Sequence, residues 1–166
     1  LVGASLNIGI TSLTAGYVLS DILSRFRRAQ PQVQVTAIED TGEYLEHLLI
    51  GGELDVAVML VSNLSNAQAL HSEVLTVSPF RLWLPLGHPL SARESIEISD
   101  LSDEPQILLD IDEMQGEMMR LTSSFRERPR IAFRTKSVEA VRSLVASGEG
   151  VALLPDLIYR PWSLEG

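Results

Sequence analysis

The amino-acid sequence predicts an α/β fold, a parallel sheet with helices on its faces, followed along the chain by a second α/β lobe. Three observations predict it. Segments with the period-two apolar alternation of strands take turns with segments whose apolar residues recur at helical spacing. The connections between them are short and marked by Gly, Pro and hydroxyl residues. And 166 residues with 45% apolar content suffice for one domain, or two small lobes, burying about two-thirds or more of the unfolded chain's surface.

The first strand is predicted from Ser5 to Ile10, where Leu6, Ile8 and Ile10 alternate with small or polar neighbours before the hydroxyl-rich run Thr11-Ser12-Leu13-Thr14. A helix over about 16–29 follows, with Val18, Leu19, Ile22 and Phe26 on one stripe. Arg25, Arg27 and Arg28 lie in its last turn, where cations suit the helix dipole, and Pro31 ends it. Val33, Val35 and Ala37 form the next strand. A short helix around Leu45, Leu48 and Leu49 stops at Gly51-Gly52, and the apolar run 55–60 suits a strand covered on both faces. Residues 62–73 make a loop, Phe80, Leu82, Leu84 and Leu86 alternate as a strand, and Gly87-His88-Pro89 turns the chain. The pattern then restarts: a strand at 106–109, a helix over 113–126, a strand at 131–135, a helix over 137–147 and a strand at 151–154. The β-α-β-α-β order of the first part predicts parallel strands with right-handed crossovers, and ligands in such sheets bind beyond the carboxyl ends of strands.

Composition excludes several classes. The formal charge of -9 and pI near 4.7 argue against a nucleic-acid grip by this segment, because phosphate neutralisation needs a basic face. With no cysteine there is no disulfide, no thiolate nucleophile, no thiol redox switch and no Cys-ligated zinc. No stretch approaches the roughly 20 apolar residues of a membrane span, so a soluble chain without a membrane partner is expected. The chain opens at Leu1, which reads as a fragment or a processed form. His47, His71 and His88 are scattered, and no nucleophile elbow, phosphate loop or dinucleotide fingerprint is present. Asp110-Ile111-Asp112-Glu113 lacks calcium-loop spacing and reads as the solvated, acid-rich first turn of a helix. Gly148-Glu149-Gly150 reads as a helix stop. Neither a metal nor a cofactor is expected.

Five passages together resemble the effector-binding domain of LysR-type transcriptional regulators. They are Ser5-Leu6-Asn7-Ile8-Gly9-Ile10; Leu48-Leu49-Ile50-Gly51-Gly52-Glu53-Leu54-Asp55-Val56-Ala57-Val58; and Leu84-Pro85-Leu86-Gly87-His88-Pro89-Leu90. Then come Ile98-Ser99-Asp100-Leu101, and Ser137-Val138-Glu139-Ala140-Val141 leading into Ser147-Gly148-Glu149-Gly150-Val151-Ala152-Leu153-Leu154-Pro155. The likeness spans nearly the whole chain, and its last passage is the most specific. It implies two Rossmann-like lobes of the type 2 periplasmic-binding-protein kind, the first over 1–78 and the second over 79–166, with the C-terminal return to the first lobe missing. It also implies a small-molecule effector held between the lobes, a homodimer or tetramer, and a cytoplasmic home. Contact with promoter DNA would come only through a winged helix-turn-helix outside this chain. The first helix, with Leu23 and the Arg25 to Arg28 cluster, is implied in subunit pairing.

Candidate effector contacts follow. Thr11 and Ser12 lie where a strand hands over to a helix, and the resemblance puts inducer contacts at this turn; helix capping accounts for the same residue types. Thr14 is a weaker candidate. Thr41 and Gly42, after the second strand, carry the same two readings, a ligand turn or a cap with a turn glycine. Phe133 matches a cleft-facing position of the family and equally fits ordinary core packing, as do Met59 and Val151. Ser137 is expected to cap its helix as a simple cap, since Ala140 rules out a capping box. A cleft so lined is mostly apolar with a few hydroxyls, which suits a small organic acid, aromatic acids included. The alternatives are a solute-binding protein of the same architecture and an α/β enzyme using Asp40, Asp55 or Asp110 as acid or base.

Overall fold

The computed structural model describes residues 3–159 and divides the chain into two compact units, Leu1–Val77 and Ser78–Gly166. Residues 160–166, the end of the second lobe as delimited from the sequence, lie outside the described residues.

The first unit is built on three parallel strands in the order β2-β1-β3, with β1 at Ser5–Ile10, β2 at Gln34–Glu39 and β3 at Val56–Val58. The centre strand carries the core. Ile8 and Ile10 are buried, and Gly9 between them makes room for the helix side of the sheet: a Cβ there would stand 2.6 Å from Leu54 Cδ1 and 2.7 Å from Leu45 Cδ2. Leu45, Leu48 and Leu54 form the buried cluster, with Leu49 and Ala57 packed on it. Leu45 and Leu48 come from α3 (Gly42–Ile50), whose helical spacing of leucines turns one face onto the sheet.

Two expectations for this unit change. The helix after β1 is two helices, α1 (Ser12–Tyr17) and α2 (Leu19–Ala29), because Val18 leaves helical geometry at φ -125. The stripe on α2 is only partly covered: none of its residues is buried, and Leu19, Ile22 and Phe26 are half-buried. The strand expected over 55–60 is reduced to Val56–Val58, and Val56 is exposed rather than covered on both faces.

The second unit opens with β4 (Phe80–Trp83), shorter than its alternation suggested, which pairs antiparallel with β7 (Ala152–Pro155). A separate parallel pair joins β5 (Gln106–Leu109) to β6 (Ile131–Thr135). On the other side of β5, Ile107 donates its N–H to Val151 O at 2.8 Å, and Val151 donates its own to Pro105 O at 2.9 Å. Two helices belong here, α4 (Asp112–Thr122), which ends before the expected residue 126, and α5 (Val138–Ala146). Ser137 caps α5 as expected, accepting the Ala140 N–H at 3.2 Å. Arg142, on the buried side of α5, lies over the Trp83 ring at 5.3 Å and reaches Ile158 O at 3.4 Å. It thus ties α5 to β4 and to the residues after β7.

Among the described residues no helix is long and apolar enough to cross a membrane. Two glycines separate tight packing from open space. A Cβ on Gly150 would stand 2.6 Å from Pro105 O, a backbone atom with little freedom to yield, whereas one on Gly16 in α1 meets nothing within 4 Å. Gly150→Ala therefore lowers stability in denaturant titration by about 1–3 kcal/mol. Gly16→Ala leaves stability unchanged or raises it by up to about 1 kcal/mol.

Candidate functional site

In the first unit the three parallel strands finish level with one another. Ile10 lies opposite Glu39 on one side and Val58 on the other, so the residues that follow each strand arrive at one edge of the sheet. These are Thr11 and Ser12 after β1, Asp40, Thr41 and Gly42 after β2, and Met59 after β3. Backbone bonds close the edge: Asp40 N–H donates to Ile10 O at 3.1 Å, and Thr11 N–H to Val58 O at 3.4 Å. The structure thus brings together the candidates that the sequence placed in this part of the chain. It also shows why position 42 is glycine, since a Cβ there would stand 2.8 Å from Met59 Cε. Gly42 serves this close approach.

The hydroxyls at this edge divide into two kinds. Thr11 is 1% exposed. It occupies the N-cap position of α1 without capping it by its side chain; its Oγ1 lies 2.9 Å from Thr14 Oγ1 instead. Thr14 Oγ1 in turn reaches Thr11 O and Val58 O, each at 3.0 Å, stitching the turn to β3. Thr11 and Thr14 therefore frame the edge. Ser12 and Thr41 are exposed. Thr41 caps α3 by accepting the Tyr44 N–H at 3.3 Å, and its own N–H donates to Asp40 Oδ1 at 2.8 Å.

Sequence reasoning passed over Glu46. It is 0% exposed on α3, and its carboxylate accepts the N–H groups of Ser65 at 3.0 and 3.1 Å and of Asn66 at 2.7 Å. A buried carboxylate thereby anchors the loop that leaves β3 past Met59. The signal in the sequence was an acid set beside Leu45 on a leucine-bearing helix, with a Ser-Asn pair downstream; nothing local showed that the two meet.

In the second unit, Phe133 on β6 pairs with Ile107 across the ladder, while Val151 bonds Ile107 from the other side of β5. The two candidates there differ sharply. Phe133 is 51% exposed, so it is no core residue, whereas Val151 is buried. Phe133 stays open although its ladder partner Ile107 is buried, because β6 is an edge strand of the pair.

The groups considered for other chemistry are engaged elsewhere. Asp55 accepts the Asn7 N–H at 2.7 Å at the start of β3, while Asp40 stands past the end of β2. Their backbones meet β1 at Asn7 and Ile10, about 10 Å apart along the strand, and Asp110 belongs to the second unit. His88 caps a 3-10 turn, its Nδ1 accepting the Leu90 N–H at 3.1 Å while Nε2 lies 3.1 Å from Glu104 Oε2. That arrangement assigns the ring proton to Nε2. Glu113 departs from the expected solvated first turn: it is 2% exposed. Among the described residues no group of three or more His, Asp or Glu side chains is placed to hold a metal ion.

If Glu46 anchors the loop, Glu46→Ala costs about 1.5–3 kcal/mol, the usual scale for hydrogen bonds to a charged group. Amide exchange reads it directly: Ser65 and Asn66 N–H groups lose protection while the β1 amides keep theirs.

Residues 2–166 match the family model described as the LysR substrate binding domain. The hydrogen peroxide-inducible genes activator of Dickeya chrysanthemi is 29% identical over 153 residues, an alignment taking 92% of this chain and 50% of that protein. The chain thus spans about half the length of the curated relatives it matches. The C-terminal domain of a probable LysR family transcriptional regulator from Rhodococcus sp. RHA1 superposes with a TM-score of 0.84 at 28% identity, over 97% of this chain and 77% of that one. The effector binding domain of QuiR, in complex with shikimate, shares the fold at a TM-score of 0.72 and 15% identity, over 92% of this chain and 74% of that one. The architecture is the α/β fold of the type 2 periplasmic-binding-protein kind. With parallel strands in the order β2-β1-β3, an edge built at their carboxyl ends and a family match over residues 2–166, this chain belongs to the LysR substrate-binding-domain family, the effector-binding part of LysR-type transcriptional regulators.

Proposed function

We propose that this chain senses a small organic carboxylate for a LysR-type regulator, without turning it over. The observation that carries the reading is the convergence of Ser12, Thr41, Gly42 and Met59 at the carboxyl ends of three level parallel strands. This is where α/β sheets take their ligands. Exposed hydroxyls at Ser12 and Thr41 supply hydrogen bonds, Met59 supplies an apolar wall, and the buried Thr11–Thr14 and Glu46 bonds hold the frame. In the second unit Phe133 offers an exposed ring suited to an apolar or aromatic ligand body. That a domain of this fold takes shikimate is a fact about QuiR; it is the reason small hydroxylated and aromatic acids open the screen.

The family match and the regulators among its relatives favour this reading over a solute receptor. Relatives named for hydrogen peroxide do not carry thiol chemistry across to this chain, because it has no cysteine to oxidise. Effector binding acts by shifting the population of domain arrangements in a homo-oligomer, a coupling that in such systems amounts to about 1–3 kcal/mol. The half-buried apolar stripe of α2, with the neighbouring Leu23, is the face offered for subunit pairing. The full protein would act in the cytoplasm, where its promoter lies.

A thermal-shift series with small aliphatic and aromatic carboxylates tests the reading. An effector at a hundredfold excess over its Kd stabilises the folded chain by about 2.7 kcal/mol. Ser12→Ala and Phe133→Ala, both at exposed positions, each weaken that effector by about tenfold, or 1.4 kcal/mol. A saturable shift that survives both substitutions unchanged places the effector elsewhere and sinks this site.

A further inference from the structure

Position 46 carries a charge where the helix otherwise turns leucines inward. Leu45 and Leu48 of α3 are buried, and Glu46 beside them is 0% exposed. Taking a carboxylate out of water is costly unless its oxygens are bonded. Among the described residues the oxygens of Glu46 bond only the N–H groups of Ser65 at 3.0 and 3.1 Å and of Asn66 at 2.7 Å. An apolar side chain would fill the same space without that desolvation. What the carboxylate adds is a fixed position for the chain nineteen and twenty residues further on.

That segment is the one that leaves the candidate effector edge. Met59 follows β3 with its Cε so near Gly42 that a Cβ there would stand 2.8 Å from it. Gly42 and Glu46 stand at i and i+4 of α3, on one face and about 6 Å apart along the axis. The chain that passes along this face is therefore fastened to α3 twice. The first contact is the van der Waals seat of Met59 on Gly42. The second is the set of charge-assisted bonds at Ser65 and Asn66, the stronger kind of hydrogen bond. Extended, the chain from Met59 to Ser65 would reach about 20 Å. The 3-10 turn Val61–Asn63, closed by the Leu64 N–H on Val61 O at 3.0 Å, folds it short. The span has little hold of its own, since Leu60 and Leu64 are half-buried and Val61, Ser65 and Asn66 are exposed. Met59 thus lies between two fixed points, Val58, whose carbonyl accepts Thr14 Oγ1 at 3.0 Å, and the Glu46 bonds.

We infer that Glu46 is a positioning residue for the effector edge: by clamping the chain at Ser65 and Asn66 onto α3, it fixes where the Met59 wall stands. Released from Glu46, the span keeps its Val58 end and swings about Met59 and Leu60, which takes the thioether off Gly42 and opens the wall. The competing account is an anchor that serves its own loop alone, with Met59 held from Val58. What the edge binds rests on the proposed function, whereas the place of Met59 does not. A test without any effector therefore separates the failure of one from the failure of the other.

The experiment is NMR of the 166-residue chain labelled at its methionine methyl groups, with amide exchange measured on the same variants. The unmodified chain shows a nuclear Overhauser contact between the Met59 methyl and the Gly42 Hα. Glu46→Leu, which fills the volume but accepts no hydrogen bond, loses that contact, and the Ser65 and Asn66 amides exchange about tenfold faster. Glu46→Gln keeps a carbonyl oxygen that accepts N–H bonds and retains the contact. The methyl resonances of Met114 and Met118, buried in the second unit, stay in place in both variants and report that the chain is folded. Loss of packing at position 46 would instead be repaired by leucine. The inference is overturned by a Met59 contact that persists in the leucine variant while Ser65 and Asn66 are released. Amides that stay protected without the carboxylate overturn it too, as does a contact missing from the unmodified chain.

Discussion

Parallel pairing of β1 with both β2 and β3, in a register that sets Ile10 opposite Glu39 and Val58, is the constraint on which the first unit depends. A slip of one residue in β1 would exchange its two faces. Ile8 and Ile10 would then leave the side they now bury, and the space at Gly9 would no longer meet Leu45 and Leu54. The same register decides which residues emerge together at the carboxyl ends. Core packing and the candidate site are therefore not independent features, since what buries the leucines of α3 also brings Ser12, Thr41 and Met59 to one edge.

At that edge the polar groups divide their work by depth. Thr11, Thr14 and Glu46 are buried and spend their oxygens on turn and loop backbone, where an unmade hydrogen bond would be costly. Ser12 and Thr41 stand at the surface. A frame so held costs little ordering when a ligand arrives, which is the physical content of preorganisation. In the second unit Arg142 has a comparable holding role, linking α5 to Trp83 and to the carbonyl of Ile158.

Charge shows a similar contrast between total and local value. Summed over the chain it is negative, yet the loop before β6 and the strand itself carry exposed arginines without ion-pair partners among the described residues. Glu127 lies within this run and Asp110, whose N–H donates to Thr135 O at 2.7 Å, lies beside the strand, whereas acids more than about 10 Å away are largely screened at ordinary salt.

Much of the architecture was legible because its signals are local. Alternation located β1, leucine spacing located α3, and a serine before an apolar helical run located the cap of α5. The reading went astray where neighbours distant in sequence decide the outcome. The apolar run at 55–60 gave only a three-residue strand, α2 kept its stripe half-covered, and Phe133 stayed open although its residue type suits a core. The candidate site was legible in part: Ser12, Thr41, Gly42 and Met59 were named from turns and resemblance, but Thr11 was not separable from Ser12, and Glu46 was not seen. The sequence by itself determined the order and type of most elements, because backbone preference and side-chain periodicity act within a few residues, and the resemblance of its five passages pointed to the family. Only the tertiary structure decided which polar groups are consumed in the frame and which remain free to bind. Burial is set by partners far along the chain, as Val58 is for Thr14 and Ser65 for Glu46.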